Sequence, residues 1–249
     1  MPTKSPLSPD QTAAFARDGV LRLEALIPAD AIASAREAVL RPLTTLGLWR
    51  DGQWRLAGAR PPKVARDIGH RHPAVEALIE VPTVKAVVDT LLEGRPFDRT
   101  VYRRPQILFS LPAATPWTLP PHWHTDCPRL ASGEAPGVQL FTFLQPVEAS
   151  GGGTLVIAGS HRLLDDGHDV RPADIARALR DEPFFRRLAS GGVDLLAGTA
   201  RGVPLRVVEL TGRPGDVWLM DLRALHAGSV NASDRPRLMV THRFLRADL

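Results

Sequence analysis

Val138-Gln-Leu-Phe-Thr-Phe-Leu-Gln-Pro-Val147 is the stretch whose reading decides the fold class. It is one of six short apolar runs; the others are Gln106 to Leu111, Thr154 to Ile157, Leu205 to Leu210, Val217 to Met220 and Leu238 to Leu245. Pro, Gly and Asp separate them, and short apolar runs punctuated in this way read as the strands of a barrel or sandwich. One segment breaks the rhythm. Between His161 and Pro204 lie a helical stretch, Pro172 to Leu188, and a glycine-rich one with Gly191, Gly192, Gly198 and Gly202, together too long for a hairpin loop.

Upstream of Val101 the texture is helical. Ser8-Pro9-Asp10-Gln11 sets a capping hydroxyl, a proline at the first helical position and a Gln three residues after the cap, so a helix should run to Asp18 and stop at Gly19. Leu21 to Glu24 alternates as a short strand would. A second helix should follow Pro28, and a third should cover Pro73 to Leu92 and end at Gly94. The expected organisation is a single domain over 1–249: helical support over about 1–98, then a β-core over 99–249 with a helical insertion at 163–202.

The chain has 249 residues, 44% hydrophobic and 23% charged, the profile of a soluble globular protein. Its formal charge is +4, and all but three of its 31 basic residues are Arg, the lysines being Lys4, Lys63 and Lys85. Arg and acids alternate rather than cluster, as in Arg177, Arg180, Asp181, Glu182, Arg186 and Arg187, which predicts a solvated face and no nucleic-acid partner. The lone cysteine, Cys127, excludes an internal disulfide framework and a thiolate zinc cage, and fits a reducing cytoplasm. MPTKSPLSPDQ at the start is polar, without the apolar run of a signal peptide or membrane span, so the expected location is cytoplasmic, away from membranes.

The chemistry-bearing stretch is His122-Trp123-His124-Thr125-Asp126. In a strand, residues two apart share a face, so His124 and Asp126 would present an imidazole and a carboxylate to one ion. A third donor is available in Leu225-His226-Ala227-Gly228. Two His and one carboxylate on one face of a non-haem iron leave three coordination positions open, as in oxygenases that bind a cosubstrate and dioxygen together. A zinc ion would more often have its positions filled, or keep one water.

Four stretches carry a resemblance to a known family: Phe15-Ala-Arg-Asp-Gly-Val20, His124-Thr125-Asp126, Ser150-Gly-Gly-Gly-Thr-Leu-Val-Ile-Ala-Gly-Ser-His161, and Gly215-Asp216 through His226 to Asn231-Ala-Ser-Asp-Arg-Pro-Arg237. In their order and spacing the chain resembles the phytanoyl-CoA dioxygenase family of iron(II)- and 2-oxoglutarate-dependent oxygenases. The resemblance implies a mainly β fold, a double-stranded β-helix or cupin-like jelly-roll with helices packed outside. It also implies iron held by His124, Asp126 and His226 as the metal and catalytic residues, with 2-oxoglutarate and dioxygen as cosubstrates. Arg237, eleven residues after the second His, would pair with the distal carboxylate of 2-oxoglutarate, for which a planar guanidinium is suited; Arg235 competes for that role. Gln106 would contact the cosubstrate, and Phe141 stands where the family commonly has Trp. Gly228 stands where it often has Ser. Asp126 argues against halogenation, since halogenases of this fold carry a small residue there.

The implied activity is hydroxylation, or a related oxidation, of an unactivated carbon in a small-molecule substrate, with release of succinate and carbon dioxide. The competing reading is a non-oxidative cupin-like isomerase or metal-dependent binding protein. Around the motif, His122 reads as structural or as a neighbour of the substrate, Trp117 and Trp123 as core or pocket wall, and His161 as structural. Cys127 reads as inert. His70 and His72, in a basic loop with Lys63, Arg66 and Arg71, read as solvated surface. The insertion, with glycines as hinges, is the expected lid and substrate selector.

Overall fold

A computed structural model describes residues 5–55, 72–98, 104–126, 135–164 and 179–248. Local signals set the first elements. Ser8 Oγ accepts from Gln11 N at 3.2 Å and the Gln11 side chain accepts from Ser8 N at 2.8 Å, a reciprocal cap that starts α1, Pro9–Asp18. Gly19 ends it at φ 65°. A Cβ there would meet His161 Nδ1 at 2.3 Å, so both the left-handed backbone and the close packing require glycine. β1, Val20–Leu23, follows, then α2, Ala29–Thr45, and a short hairpin of β2, Trp49–Arg50, and β3, Gln53–Trp54.

The helix expected over Pro73 to Leu92 is two helices, α3 at Pro73–Glu80 and α4 at Pro82–Leu91. Pro82 has no N–H to continue the ladder and pushes Val81 to extended geometry, φ −54° and ψ 127°, so the apolar periodicity continues while the backbone turns. The loop of Lys63, Arg66, His70 and Arg71 lies outside the described residues; His72, at its edge, caps α3, with Nδ1 accepting from Ala74 N at 3.2 Å.

Among the described residues nine strands follow: β4 Phe97–Asp98, β5 Gln106–Ser110, β6 Gly137–Phe143, β7 Leu155–Ala158, β8 Ala197–Ala200, β9 Val203–Glu209, β10 Val217–Asp221, β11 His226–Ala227 and β12 Arg237–Arg246. The major sheet runs β1-β10-β6-β12-β4 with β5 also on β12; the minor sheet runs β11-β7-β9-β8, and all pairs are antiparallel. From β9 onward the chain alternates between the two sheets, β9 and β11 in the minor one and β10 and β12 in the major one, the crossing-over that a jelly-roll requires. The structure is mainly β, with few helices outside the sheets.

Strand alternation sorts the core into three layers. On the outer face of the major sheet, Ile107, Leu140, Val240 and Phe244 meet the helices through Val39, Leu78 and Val88. Between the sheets lie Phe141, Phe143, Val156, Met220 and Met239. Outside the minor sheet, Leu155, Ile157, Leu205 and Leu225 are covered by Phe184 and Leu188 of α5, Pro183–Ala189.

That last layer corrects the expectation of a lid. Phe184 is 2% exposed and lies in an apolar cluster against the outer face of the minor sheet, behind the strand of His226. Burial of this kind stabilises by roughly 1.5–3 kcal/mol per large side chain, so the described part of the insertion is structural. Residues 165–178 of the expected insertion, with the first part of its helical stretch, lie outside the described residues, as does Cys127. Among the described residues no helix is long and apolar enough to cross a membrane.

Candidate metal centre

The stretch expected as a strand around His124 is a single β-bridge, His124 opposite His226. The two residues exchange both backbone bonds, His124 N to His226 O at 3.0 Å and His226 N to His124 O at 2.9 Å. Directly opposed residues of an antiparallel pair share a face, and the two rings stand 4.3 Å apart, centroid to centroid. Asp126 follows on that face, its N–H donating to Leu222 O at 3.2 Å. One atom from each of His124, Asp126 and His226 lies within 4.8 Å of the others.

His226 Nε2 is 3.3 Å from Asp126 Oδ2, and His124 Nε2 is 3.9 Å from Asp126 Oδ1. Neighbouring donors around an ion with bonds of ~2.1 Å stand about 3 to 3.5 Å apart, so small closing motions would bring all three to one centre. The His226 side chain is buried and that of His124 is 58% exposed, giving the group a buried floor and an open rim. His226 Nδ1 lies 3.1 Å from Ala224 O, a carbonyl that can accept the Nδ1 proton and orient the ring, leaving Nε2 to bind an ion in place of its present contact with Asp126.

The charges suit a cation. Burial alone would raise the Asp126 carboxyl, but hydrogen bonding from His226 and the guanidinium of Arg243 outweigh it and hold it well below the usual carboxylate range. Burial, then His226, lower His124. Both groups are therefore in their metal-binding form at neutral pH. Sequence reasoning missed Arg243. Its signal was the even spacing from Arg237 along one strand.

β12 assembles the neighbouring polar groups. Arg237 is paired with Ser110, Met239 with Leu108, and Thr241 with both Gln106 and Phe141, so Arg237, Gln106 and Phe141 face the space between the sheets. Arg237 Nη1 donates to Gly152 O, and its buried Nε has no partner among the described residues, nor has the buried Ser110 Oγ. Burial pulls the Arg237 guanidinium down to about 10, still cationic at neutral pH. Gly152 has φ 80°, and a Cβ on it would meet Asn231 Cβ at 2.8 Å. Glu209 fixes the turn that carries it, accepting from Ser150 N at 2.8 Å and Gly153 N at 3.2 Å.

Arg235 points elsewhere: its side chain is 74% exposed and lies 3.7 Å from Asp234. Gln106 is exposed at the mouth and Phe141 is buried. Beyond Gly228, Ser229 Oγ donates to Gly153 O at 2.7 Å. His122 is exposed, Trp117 lies in the outer core, and Trp123 Nε1 donates to Pro120 O at 3.0 Å. His161 is buried, its Nε2 3.1 Å from Ala16 O, where it braces α1.

The family described as Phytanoyl-CoA dioxygenase (PhyH) matches residues 15–239. Uncharacterized proteins of Mycobacterium bovis and Mycobacterium tuberculosis are each 25% identical over 233 residues, covering 92% of this chain and 72% of theirs. Among solved structures, the non-heme alpha ketoglutarate dependent carbocyclase SnoK from nogalamycin biosynthesis superposes with a TM-score of 0.65 at 19% identity, over 98% of this chain and 87% of its own. EctD from S. alaskensis, crystallised with 2-oxoglutarate and 5-hydroxyectoine, gives 0.63 at 20% identity over 100% and 79%. The epimerase SnoN, in complex with Fe3+, alpha ketoglutarate and nogalamycin RO, gives 0.59 at 17% identity over 96% and 83%. These likenesses are likenesses of fold.

Proposed function

The chain belongs to the phytanoyl-CoA dioxygenase family, and on that premise we propose that it is an iron(II)- and 2-oxoglutarate-dependent dioxygenase that hydroxylates an unactivated carbon of a small organic molecule. The observation that carries this reading is the clustering of His124, Asp126 and His226 within 4.8 Å of one another at the minor sheet, with Arg237 turned into the same inter-sheet space from β12 of the major sheet. The donor set fits the metal: two imidazoles and one carboxylate suit iron(II) and leave adjacent positions open. Iron(II) with 2-oxoglutarate and dioxygen supplies the oxidising power, one oxygen atom entering succinate, with loss of carbon dioxide, and the other entering the substrate.

The chain's share is binding, orientation and the exclusion of water. His226, oriented by Ala224 O, and His124, at the open rim, would hold the ion, with Asp126 supplying the negative charge. A desolvated guanidinium whose Nε finds no protein acceptor is incomplete. Arg237 would hold the distal carboxylate of 2-oxoglutarate, and Ser110 Oγ, on the adjoining strand and likewise without a partner among the described residues, would add a further hydrogen bond. Gln106 offers an amide at the mouth. Phe141 gives an apolar wall without the donor an indole would add.

Anaerobic addition of iron(II) and 2-oxoglutarate should produce the weak visible charge-transfer band of the chelate, and Asp126→Ala or His226→Ala should abolish it. The band at full strength in either variant overturns the ligand set. Succinate release measured against acyl thioesters, terpenoids and amino acids identifies the substrate class; iron binding with no succinate from any of them would favour the non-oxidative isomerase or binding protein.

A further inference from the structure

Arg237 and Arg243 are six residues apart on β12, so their side chains leave the same face of the strand. The register sets Arg237 opposite Ser110 and Arg243 opposite Gln139, so the two cations stand at opposite ends of one inward-facing row. Arg243 reaches back to Asp126, 117 residues earlier in the chain. Its Nε donates to Oδ2 at 2.8 Å and its Nη2 donates to the same oxygen. The side chains are only 18% and 15% exposed. Oδ1 accepts no hydrogen bond among the described residues and faces His124 Nε2 at 3.9 Å. The two carboxylate oxygens are therefore unequal before any ion arrives.

We infer that Arg243 is a positioning residue for the proposed iron site, holding Oδ2 so that Asp126 offers a single oxygen to the metal. The inference rests on the reading of His124, Asp126 and His226 as ligands. The terminal torsion of an Asp side chain is soft and roughly two-fold, so an unrestrained carboxylate can swing to chelate an ion through both oxygens. That would fill a position needed by the cosubstrate or by dioxygen. Two N–H groups of a planar guanidinium aimed at one oxygen fix the carboxylate plane as well as its charge, which the point charge of a lysine does not. Such partners of ligand side chains commonly govern metal affinity by about tenfold to a hundredfold.

The test uses Co(II) as an iron surrogate, titrated into the full chain and into Arg243→Lys and Arg243→Met. Visible d–d absorption reports coordination, and calorimetry reports affinity. Both variants should lose about tenfold or more in Co(II) affinity, with a changed absorption profile, and should bind 2-oxoglutarate more weakly once Co(II)-loaded. Arg243→Lys keeps the charge and stem and decides the matter alone if Arg243→Met does not fold. Parent-like affinity and absorption in Arg243→Lys overturn the inference. So does a loss confined to the melting temperature of the chelator-treated protein with the Co(II) profile unchanged, which is the mark of a structural role. Retention of Co(II) affinity by Asp126→Ala is a separate result: it removes the ligand reading itself.

Discussion

On one face of β12, Leu238, Val240 and Phe244 vanish into the apolar layer beneath the helices; on the other, Arg237, Thr241 and Arg243 look into the space between the sheets. The two sets share one backbone and differ by one residue of phase. The outer set is held by removal of apolar area from water, a non-directional force that tolerates many sequences. The inner set is held by particular acceptors: Gly152 O for Arg237, Leu140 O for Thr241, Asp126 for Arg243. A strand can thus be read twice, as packing on one side and as chemistry on the other, and substitutions on the two faces should fail in different assays.

The largest expected effect lies on the outer face. Phe244 is 1% exposed and stacks edge-on against Phe97 with centroids 5.3 Å apart. Phe244→Ala should cost about 3–5 kcal/mol in urea unfolding, while protein that remains folded keeps its cosubstrate affinity. An equal loss of affinity in the folded fraction would break the division between faces.

Next comes the inner face. Arg237→Ala should weaken 2-oxoglutarate binding by about tenfold to a hundredfold, the worth of roughly 1.5–3 kcal/mol for hydrogen bonds to a charged group, with little change in melting temperature. Arg235→Ala should change neither. The reverse order would transfer the role to Arg235.

The smallest effect sharpens the comparison at the sheet edge, where Asp216 joins the N-terminal arm to the core. Its buried carboxylate accepts from Ala25 N and Arg213 N, each at 3.0 Å, and from Arg22 Nη2 at 2.8 Å. Burial works against the charge, but these donors prevail and hold the carboxyl below its usual value. The stability it contributes is therefore present above the ordinary carboxylate pKa and lost as pH falls through the depressed one. Asp216→Asn should cost roughly 1–2 kcal/mol at pH 7, and the gap from the parent, followed by urea unfolding, should narrow below pH 4. A gap independent of pH would assign the loss to shape rather than charge.

Legibility in the sequence followed the range of the forces. α1 could be bounded to the residue because Ser8, Gln11 and Gly19 act within one or two turns. The six apolar runs fall on β5, β6, β7, β9, β10 and β12 because a short apolar run bounded by Pro, Gly or Asp is written locally. The break at Pro82 was missed because helical periodicity persists across it, although the missing N–H was there to be counted. The insertion looked like a hinged lid because glycine content is local, whereas the burial of Phe184 against the minor sheet is not. In the site, the His-x-Asp spacing was visible. The partnership of Arg243 with Asp126 depends on β12 meeting the segment that carries His124 in space, and only the even spacing from Arg237 hinted at it.

The bridge between His124 and His226 bears on more than ligand geometry. It is one backbone pair, and with the Asp126 N–H it forms a short seam closing the edge of the minor sheet. So brief a ladder opens at a small fraction of the free energy of global unfolding, and its amide protons should exchange with solvent early. An ion bound across it stitches two remote pieces of chain together and taxes every opening event by the binding free energy. Hydrogen exchange at His124, Asp126 and His226 would then report site occupancy, and closure of the barrel would belong to the loaded protein more than to the polypeptide alone.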